Sequence, residues 1–310
     1  TSIGYAFQFD SDGYVKAPTS TEVCGNTGTA RNIFAHNYLK FNDDFIARNY
    51  SDAYNAIKNV DPNHLITART GFGILNEPDC FEIPVDVRTS GLVMDFSGPE
   101  FYENFDLSKV KQKTGLVSRY ASMNNKKPVV FVEFGKNSIT DGELRQKNHF
   151  QYMYDAMQES GTQGSIAWWY IGERVKQNTT NDFGILRPDR SERPVVNLIK
   201  NYANRMTTAL PAQTIDSWVV LDMDSNPNRA QIRDQKSDAY KTLIDQGKTP
   251  KVSTSCTGTT SKEPSKGNVN KCIGNKSYDW KCPLTCLNSM FEELQIKNSQ
   301  GNWVNVKNNL

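Results

Sequence analysis

The sequence predicts an α/β fold built on a parallel sheet, and two observations lead to this prediction. Over residues 1–206, short apolar runs alternate with longer segments that carry apolar residues at helical spacing, and this alternation occurs five times. One of the runs, residues 128–135, is almost entirely apolar, as expected for a strand whose two faces are both covered by helices. Such alternation implies parallel strands joined by right-handed crossovers.

The predicted elements follow in chain order. Residues 3–9 form the first strand, which ends at the polar turn Asp10-Ser-Asp-Gly13, and residues 30–57 form a long helix. The remaining strands are predicted at residues 64–69, 91–96, 128–135 and 164–170, and the remaining helices around residues 107–120, 150–157 and 194–206. A closed barrel of this type needs eight strands, so we expect the other three from a segment that precedes Thr1 or from a companion chain.

Residues 207–310 are predicted as a small β-rich accessory domain that is separate from residues 1–206. A strand at residues 217–221 and a short helix at residues 238–246 begin it. Residues 291–297 and 302–307 then alternate apolar and polar side chains around Asn298-Ser-Gln-Gly301, which is typical of a β-hairpin.

The cysteines predict disulfide bonds in this second part. Of six cysteines, four lie between residues 256 and 286, in a stretch rich in Ser, Thr, Lys and Gly. Cys282 and Cys286 could also form half of a zinc site, but no histidine lies nearby, and disulfides are favoured. Glycosylation sequons begin at Asn49, Asn178 and Asn275. Together these features predict a secreted glycoprotein.

Composition and charge exclude several classes of function. The formal net charge of +2 gives no reason to expect nucleic acid as a partner. No apolar run approaches the roughly 20 residues that span a bilayer. No glycine-rich phosphate motif follows a predicted strand, so a dinucleotide cofactor is not expected, and no other cofactor or metal is implied. The chain has 5 Trp, 13 Tyr and 15 Phe, a content that suits a carbohydrate-binding cleft.

Glu133 is the first candidate for a catalytic residue. It lies near the end of the apolar run Val130-Phe-Val-Glu-Phe134, and Gly135 follows that run. Burying a carboxylate inside such a strand would cost several kcal/mol, so the side chain is predicted to lie at the strand's C-terminal tip. In a barrel of alternating strands and helices, catalytic groups gather at these tips.

The order of segments over residues 1–206 resembles the second half of a clan A glycoside hydrolase barrel. The matching motifs, in the order of strands four to eight, are Ile3 to Tyr14, Asp61-Pro-Asn-His-Leu-Ile66, Phe101-Tyr102, Val130-Phe-Val-Glu-Phe-Gly135, and Trp168-Trp-Tyr170 with Asn181-Asp-Phe-Gly-Ile185 and Arg193-Pro194. The motifs are similar to those of relatives of the family 42 β-galactosidases and the family 5 glycanases. The resemblance implies that Glu133 is the nucleophile and that Tyr102 contacts it.

The resemblance leaves the general acid/base open. The family places a Glu after an Asn at the end of the fourth strand, and this chain has Ser11 and Asp12 there. Asp12 is one methylene shorter, which would impair protonation of the leaving oxygen. Asn76-Glu-Pro78 matches the acid/base signature of family 5, but only one predicted strand separates Glu77 from Glu133, where that assignment needs two. Asp12, Glu77 or neither is the acid/base.

Besides Glu77, which is also predicted to bind substrate, four further residues are predicted to do so. Trp168 and Trp169 alternate across their strand, so one of them is expected to stack on a sugar and the other to fill the core. Arg69 ends its strand at the catalytic face, and Arg174 follows the last strand; each could bind substrate hydroxyls or a carboxylate, or form a structural ion pair.

The expected function is hydrolysis of a β-linked oligo- or polysaccharide by a two-carboxylate, retaining mechanism. The alternative is a catalytically impaired relative that binds carbohydrate or serves a structural role in an assembly. The Ser11-Asp12 replacement favours the alternative, and the Glu133 and Tyr102 motifs favour the enzyme.

Overall fold

The computed structural model describes residues 9–14, 16–19, 22, 30–70, 87–102, 107–122, 127–172, 181–206, 214–221, 229–253, 295–297 and 303–305. Its helices are α1 (Ala30–Val60), α2 (Thr89–Val93), α3 (Leu107–Ala121), α4 (Glu143–Ser160), α5 (Pro194–Met206) and α6 (Arg229–Asp245). Its strands are β1 (Arg69–Thr70), β2 (Gly98–Phe101), β3 (Val130–Phe134), β4 (Gly164–Ala167), β5 (Ser217–Val220), β6 (Pro250–Ser253), β7 (Gln295–Lys297) and β8 (Trp303–Asn305).

The main sheet has four parallel strands in the order β1-β2-β3-β4. Arg69 pairs with Gly98, Glu100 pairs with Glu133, and Phe134 pairs with Ala167. Helix α3 connects β2 to β3 and α4 connects β3 to β4, so the parallel strand–helix alternation predicted from the sequence is confirmed. Within the described residues, β1 and β4 are the edge strands of this sheet.

The apolar core lies between the sheet and its helices. Phe101, Phe131 and Phe134 are fully buried on β2 and β3. Phe134 packs against Phe150 and Tyr154 of α4, with ring centroids 4.9 Å and 5.7 Å away. On α4 the buried apolar residues recur at helical spacing, at Phe150, Met153, Tyr154 and Met157, as the sequence predicted. Burying a side chain of this size contributes about 1.5–3 kcal/mol.

The strand predicted at residues 91–96 is wrong. The segment forms helix α2 and then a bend, and the strand begins only at Gly98. The Asp95 carboxylate fixes the bend, because it accepts hydrogen bonds from the Tyr54 hydroxyl at 2.9 Å and the Ile66 amide at 2.8 Å. These contacts are distant in sequence, so the apolar run alone could not indicate them. The strand that does form ends at Phe101, next to Tyr102, which is where the Phe101-Tyr102 motif of the resemblance places the end of the sixth strand.

Other predicted boundaries shift while their elements remain. The strand predicted at residues 64–69 is short, at Arg69–Thr70, and the strand predicted at residues 164–170 ends at Ala167. The strand predicted at residues 3–9 lies almost entirely outside the described residues, which begin at Phe9. No helix in the described ranges is long and apolar enough to cross a membrane.

In the second part of the chain, β5 and β6 pair in parallel and α6 connects them. Helix α6 begins at Arg229, nine residues before the predicted start. The prediction missed its first turns because they consist mostly of polar helix-forming residues and show no apolar stripe. Val219, Leu221, Tyr240 and Val252 are buried and belong to the same apolar core as α3. Strands β7 and β8 pair antiparallel, as the hairpin pattern predicted. All six cysteines lie outside the described residues, so the disulfides stay predictions, as does the domain boundary at 206/207.

Candidate active site

Three charged side chains lie on one face of the main sheet, near the C-terminal ends of adjacent strands. Arg69 is on β1, Glu100 is on β2 and Glu133 is on β3. Glu100 and Glu133 pair directly, and Arg69 pairs two residues before Glu100, so the alternation of a strand places all three on the same side. Phe101 and Phe134 are the next residues along and point to the helices. We call Arg69, Glu100, Tyr102 and Glu133 the strand-end cluster.

The two carboxylate oxygens of Glu133 each have a different donor. The Tyr102 hydroxyl donates to Oε1 at 2.7 Å, and Nη1 of Arg69 donates to Oε2 at 3.3 Å. The Glu133 side chain is 15% exposed, so it reaches solvent while its orientation is fixed. Burial and then the hydrogen bond to Glu133 raise the pKa of Tyr102 far above its usual value. The phenol therefore stays protonated and remains a donor. The predicted pairing of Tyr102 with Glu133 is present in the structure.

Glu100 is a member of the cluster that sequence reasoning missed. Its Oε2 forms an ion pair with Nε of Arg69 at 3.0 Å, and its side chain is only 7% exposed. Burial raises the pKa of Glu100, the charge of Arg69 opposes that rise, and the charge of Glu133 adds to it. The misplaced strand hid this residue. Had Gly98–Phe101 been recognised as the strand, its alternation would have set Glu100 on the face opposite Phe101, but only the register with β3 places it beside Glu133.

Gly135 permits the close packing behind Glu133. A β-carbon at this position would lie 2.4 Å from the carbonyl oxygen of Trp168 and 3.2 Å from the Phe183 ring. The Trp168 amide donates to the Phe134 carbonyl at 2.7 Å, which aligns the end of β4 with the end of β3. Only glycine allows this approach, so the glycine after Glu133 has a packing role.

Trp168 and Trp169 follow β4 at the same end of the sheet, and the peptide bond between them is cis. Trp168 is 43% exposed. Trp169 packs against Trp168 at 5.5 Å and against Phe183 at 6.0 Å, measured between ring centroids. Phe183 and Tyr102 also pack edge to face, with ring centroids 5.6 Å apart. Trp168 is thus the more exposed of the two rings.

A second group of charges, which we call the loop cluster, holds residues 181–193 against the loop that follows β3. Asp182 and Arg193 form a buried ion pair at 2.6 Å, and Arg193 also donates to Ser138 and to the Gly184 carbonyl. Glu143 is 3.5 Å from Nε of Arg193 and also binds Arg187. The motifs at 181–185 and 193–194 therefore meet in space and support Phe183 behind the site.

The remaining predicted site residues are not in this cluster. Asp12 lies in an exposed turn, where its amide donates to Asp10 Oδ1 at 3.0 Å and its carboxylate accepts from Ser11 at 3.4 Å. Asp12 makes no hydrogen bond or ion pair with Glu133. Glu77 and Arg174 lie outside the described residues. Among the residues that are described, no group of His, Cys, Asp and Glu is arranged to hold a metal ion.

Comparisons with known proteins identify the fold. No family model matches the sequence, and no curated protein matches it. A GH5_18 variant from Streptomyces cattleya, in complex with Manβ1-4GlcNAc, matches with a TM-score of 0.55 at 14% identity, covering 76% of this chain and 60% of that chain. A GH5_18 protein from Bifidobacterium longum subsp. infantis matches with a TM-score of 0.56 at 13% identity, covering 73% and 56%.

A third structure, a GH5_18 variant from Bifidobacterium longum subsp. longum with the same disaccharide, has a TM-score of 0.51 at 15% identity and covers 62% of this chain and 50% of that chain. The chain thus spans at most about three fifths of the length of these three proteins. At such low identity the likeness establishes the fold, which is that of the clan A glycoside hydrolases. The resemblance stated from the sequence is confirmed at that level.

Proposed function

We propose that this protein is a glycoside hydrolase that cleaves a β-linked oligo- or polysaccharide by a retaining mechanism with Glu133 as nucleophile. The observation that carries the proposal is the environment of Glu133. Its carboxylate is at the end of a parallel strand, accepts one hydrogen bond on each oxygen, and still reaches solvent. A carboxylate held in this way is oriented for attack on an anomeric carbon.

In this mechanism a Glu133 oxygen forms a bond to the anomeric carbon while the bond to the leaving oxygen breaks. A general acid gives its proton to the leaving oxygen, and the same group then takes a proton from the water that hydrolyses the glycosyl ester. Tyr102 and Arg69 hold Glu133 throughout both steps. Trp168 offers its exposed ring to a sugar face. The GH5_18 structures with bound Manβ1-4GlcNAc support a β-mannoside as one substrate to test.

The general acid separates the proposal from its alternative. Asp12 is exposed and bonded only within its own turn in the described residues, which favours the second candidate function, a glycosidase-like protein that binds carbohydrate but lacks its acid. Aryl glycosides with good leaving groups need little acid assistance. We expect Asp12→Asn or Glu77→Gln, whichever residue is the acid, to slow a poor leaving group at least about 100-fold more than a good one.

The proposal includes closure of the barrel by further strand–helix units. In the described residues β4 pairs only with β3, whereas the segment after β4 forms backbone hydrogen bonds with Ile185 and Leu186, and Ile166 of β4 is 59% exposed. An open parallel edge with apolar side chains favours pairing with another strand. We propose that a preceding segment or a companion chain supplies these strands. Secretion and disulfide bonds in residues 207–310 remain part of the same proposal.

The decisive experiment traps the glycosyl ester. The protein is incubated with 2,4-dinitrophenyl 2-deoxy-2-fluoro-β-glucoside and with the corresponding mannoside, because the fluorine slows hydrolysis of the ester. We expect one glycosyl group per protein in the mass spectrum and a labelled peptide that contains Glu133. Glu133→Gln should not be labelled. A label on another carboxylate would refute the assignment, and the absence of both a label and hydrolysis would favour the binding protein.

A further inference from the structure

Arg69 has less capacity to bind a ligand than its exposure suggests. A guanidinium binds a carboxylate most strongly through two nitrogens at once, either Nε with Nη2 or Nη1 with Nη2. Here Nε faces Glu100 Oε2 at 3.0 Å, and Nη1 faces Glu133 Oε2 at 3.3 Å. Each two-nitrogen edge therefore already has a carboxylate of the protein against one of its nitrogens: Glu133 accepts a hydrogen bond from Nη1, and Glu100 forms an ion pair with Nε without hydrogen-bond geometry. Nη2 has no partner among the described residues and can donate single hydrogen bonds, as to a hydroxyl.

The charges of the strand-end cluster lead to the same conclusion. Two carboxylates surround one guanidinium, so the cluster carries an excess of one negative charge when both acids are ionised. Glu100 is buried, with a side chain only 7% exposed, so water screens its charge poorly. A sugar carboxylate placed beside Glu133 would meet two like charges, and the only cation of the cluster would be shared already.

We propose that Glu100 is a specificity-determining residue that makes this site accept sugars without a carboxylate and reject uronic acids. The inference rests on the proposed function, because it assumes that the reacting sugar lies beside Glu133. Glu100 acts through Arg69: it holds the Nε edge of the guanidinium, which would otherwise turn to bind a sugar carboxylate. Removing the charge of Glu100 makes the Nε edge of the Arg69 guanidinium available to a ligand. The cluster then contains one positive charge, on Arg69, and one negative charge, on Glu133.

The test compares two ligands that differ only at carbon 6 of the sugar. The sulfur-linked 4-nitrophenyl β-glucoside and β-glucuronide resist hydrolysis, so calorimetric titration at pH 7 measures binding alone. We expect the wild-type protein to bind the glucoside at least about tenfold more tightly, because like charges several Å apart repel strongly near a protein surface. In Glu100→Gln we expect the two affinities to differ by about threefold or less.

Glu159→Gln is the matched control. Glu159 is in the last turn of α4, at the opposite end of the sheet, where it forms an ion pair with Lys111 at 2.6 Å. This variant should keep the wild-type ratio of affinities. Because both ligands are measured on one preparation, a loss of folded protein affects them alike and leaves the ratio unchanged. If Glu100→Gln does not fold, Glu100→Asp is the second variant. Its shorter side chain withdraws the carboxylate from Nε of Arg69, so the preference for the glucoside over the glucuronide should still be smaller than in the wild type.

Three outcomes would overturn the inference: equal or tighter binding of the glucuronide by the wild type, an unchanged ratio in the Glu100 variants, or no binding of either ligand. The proposed function fails by a different result, which is the absence of hydrolysis of oxygen-linked aryl β-glycosides. The oxygen-linked glycosides can remain uncleaved while Glu100→Gln still reduces the preference for the thioglucoside over the thioglucuronide. In that case Glu100 determines the specificity of a carbohydrate-binding site that is not catalytic.

Discussion

Two acid–arginine clusters lie around the main sheet, and they differ in how completely their charges are satisfied. In the loop cluster, Arg193 and Asp182 are 5% and 4% exposed and form an ion pair at 2.6 Å. Asp182 Oδ1 also accepts the Gly184 amide at 2.8 Å, and Arg193 also donates to Ser138. In the strand-end cluster the Arg69 side chain is 56% exposed, and it serves two carboxylates at 3.0 Å and 3.3 Å.

This difference indicates a structural role for the loop cluster and a functional role for the strand-end cluster. In the loop cluster both terminal nitrogens of Arg193 donate hydrogen bonds within the protein and only its Nε has no acceptor, so removal of this cluster should cost stability. The strand-end cluster keeps an excess negative charge and an exposed cation, which is an arrangement that a ligand can complete. Perturbed and incompletely satisfied charges are concentrated at functional sites. We therefore expect substitutions in the two clusters to affect different measurements.

The largest effect is expected for Glu133→Gln. Without the nucleophilic carboxylate, kcat/KM for aryl β-glycosides should fall by at least about 10³-fold. Gln keeps the shape and accepts the Tyr102 hydrogen bond, so the melting temperature should hardly change. Glu159→Gln, at the other end of the sheet, is the control for both measurements. Full activity in the Glu133 variant would exclude it as the nucleophile.

Arg193→Met should test the loop cluster. The substitution leaves Asp182 buried without its cation, which costs about 3–5 kcal/mol in the free energy of unfolding. Arg187 binds the same Glu143 but lies at the surface, so Arg187→Met should cost much less than Arg193→Met. Urea denaturation gives both values. Equal costs for the two variants would show that the loop cluster has no special structural role.

Tyr102→Phe removes the hydrogen bond to Glu133 Oε1 without opening a cavity. A hydrogen bond to a charged group contributes about 1.5–3 kcal/mol, so we expect kcat/KM to fall roughly 10- to 100-fold. The matched variant is Tyr202→Phe, which removes a hydroxyl bonded to Asp155 between α5 and α4. That variant should lower stability and leave kcat/KM unchanged. If Tyr102→Phe lowered stability and left kcat/KM unchanged, Tyr102 would have a structural role and no role in the site.

A pH-dependent effect is expected for His149, which is buried behind the sheet beside Phe101. Burial, reinforced by the charges of Lys136 and Arg145, lowers the pKa of His149 to about 3. An unfolded histidine titrates near 6.5. Between these values the unfolded state binds the extra proton, so stability is complete above about pH 6.5 and is lost as the pH falls, by up to about 1.4 kcal/mol per pH unit.

His149→Leu removes this titration at similar volume. We expect the free energy of unfolding of the variant to depend less on pH between 6.5 and 4 than that of the wild type, measured by urea denaturation. Parallel curves for the two proteins would show that His149 takes no part in acid destabilisation.

The sequence by itself determined the local periodicities and whatever follows from them. Apolar spacing placed α3, α4 and α5, because a helix buries one stripe whatever its neighbours are. The unbroken apolar run placed β3 and set Glu133 at its end, since a strand covered on both faces tolerates no charge before its tip. The alternation near residue 298 also predicted the pairing of β7 with β8.

Tertiary structure decided everything that depends on register and on contacts distant in sequence. Asp95 fixed the bend that moved β2 to Gly98–Phe101, and its partners Tyr54 and Ile66 are 41 and 29 residues away. That register in turn brought Glu100 beside Glu133 and between it and Arg69. The parallel pairing of β5 with β6 likewise follows from burial against the shared core. A sequence pattern records which side chains alternate, whereas the charge of a site depends on which strands lie side by side.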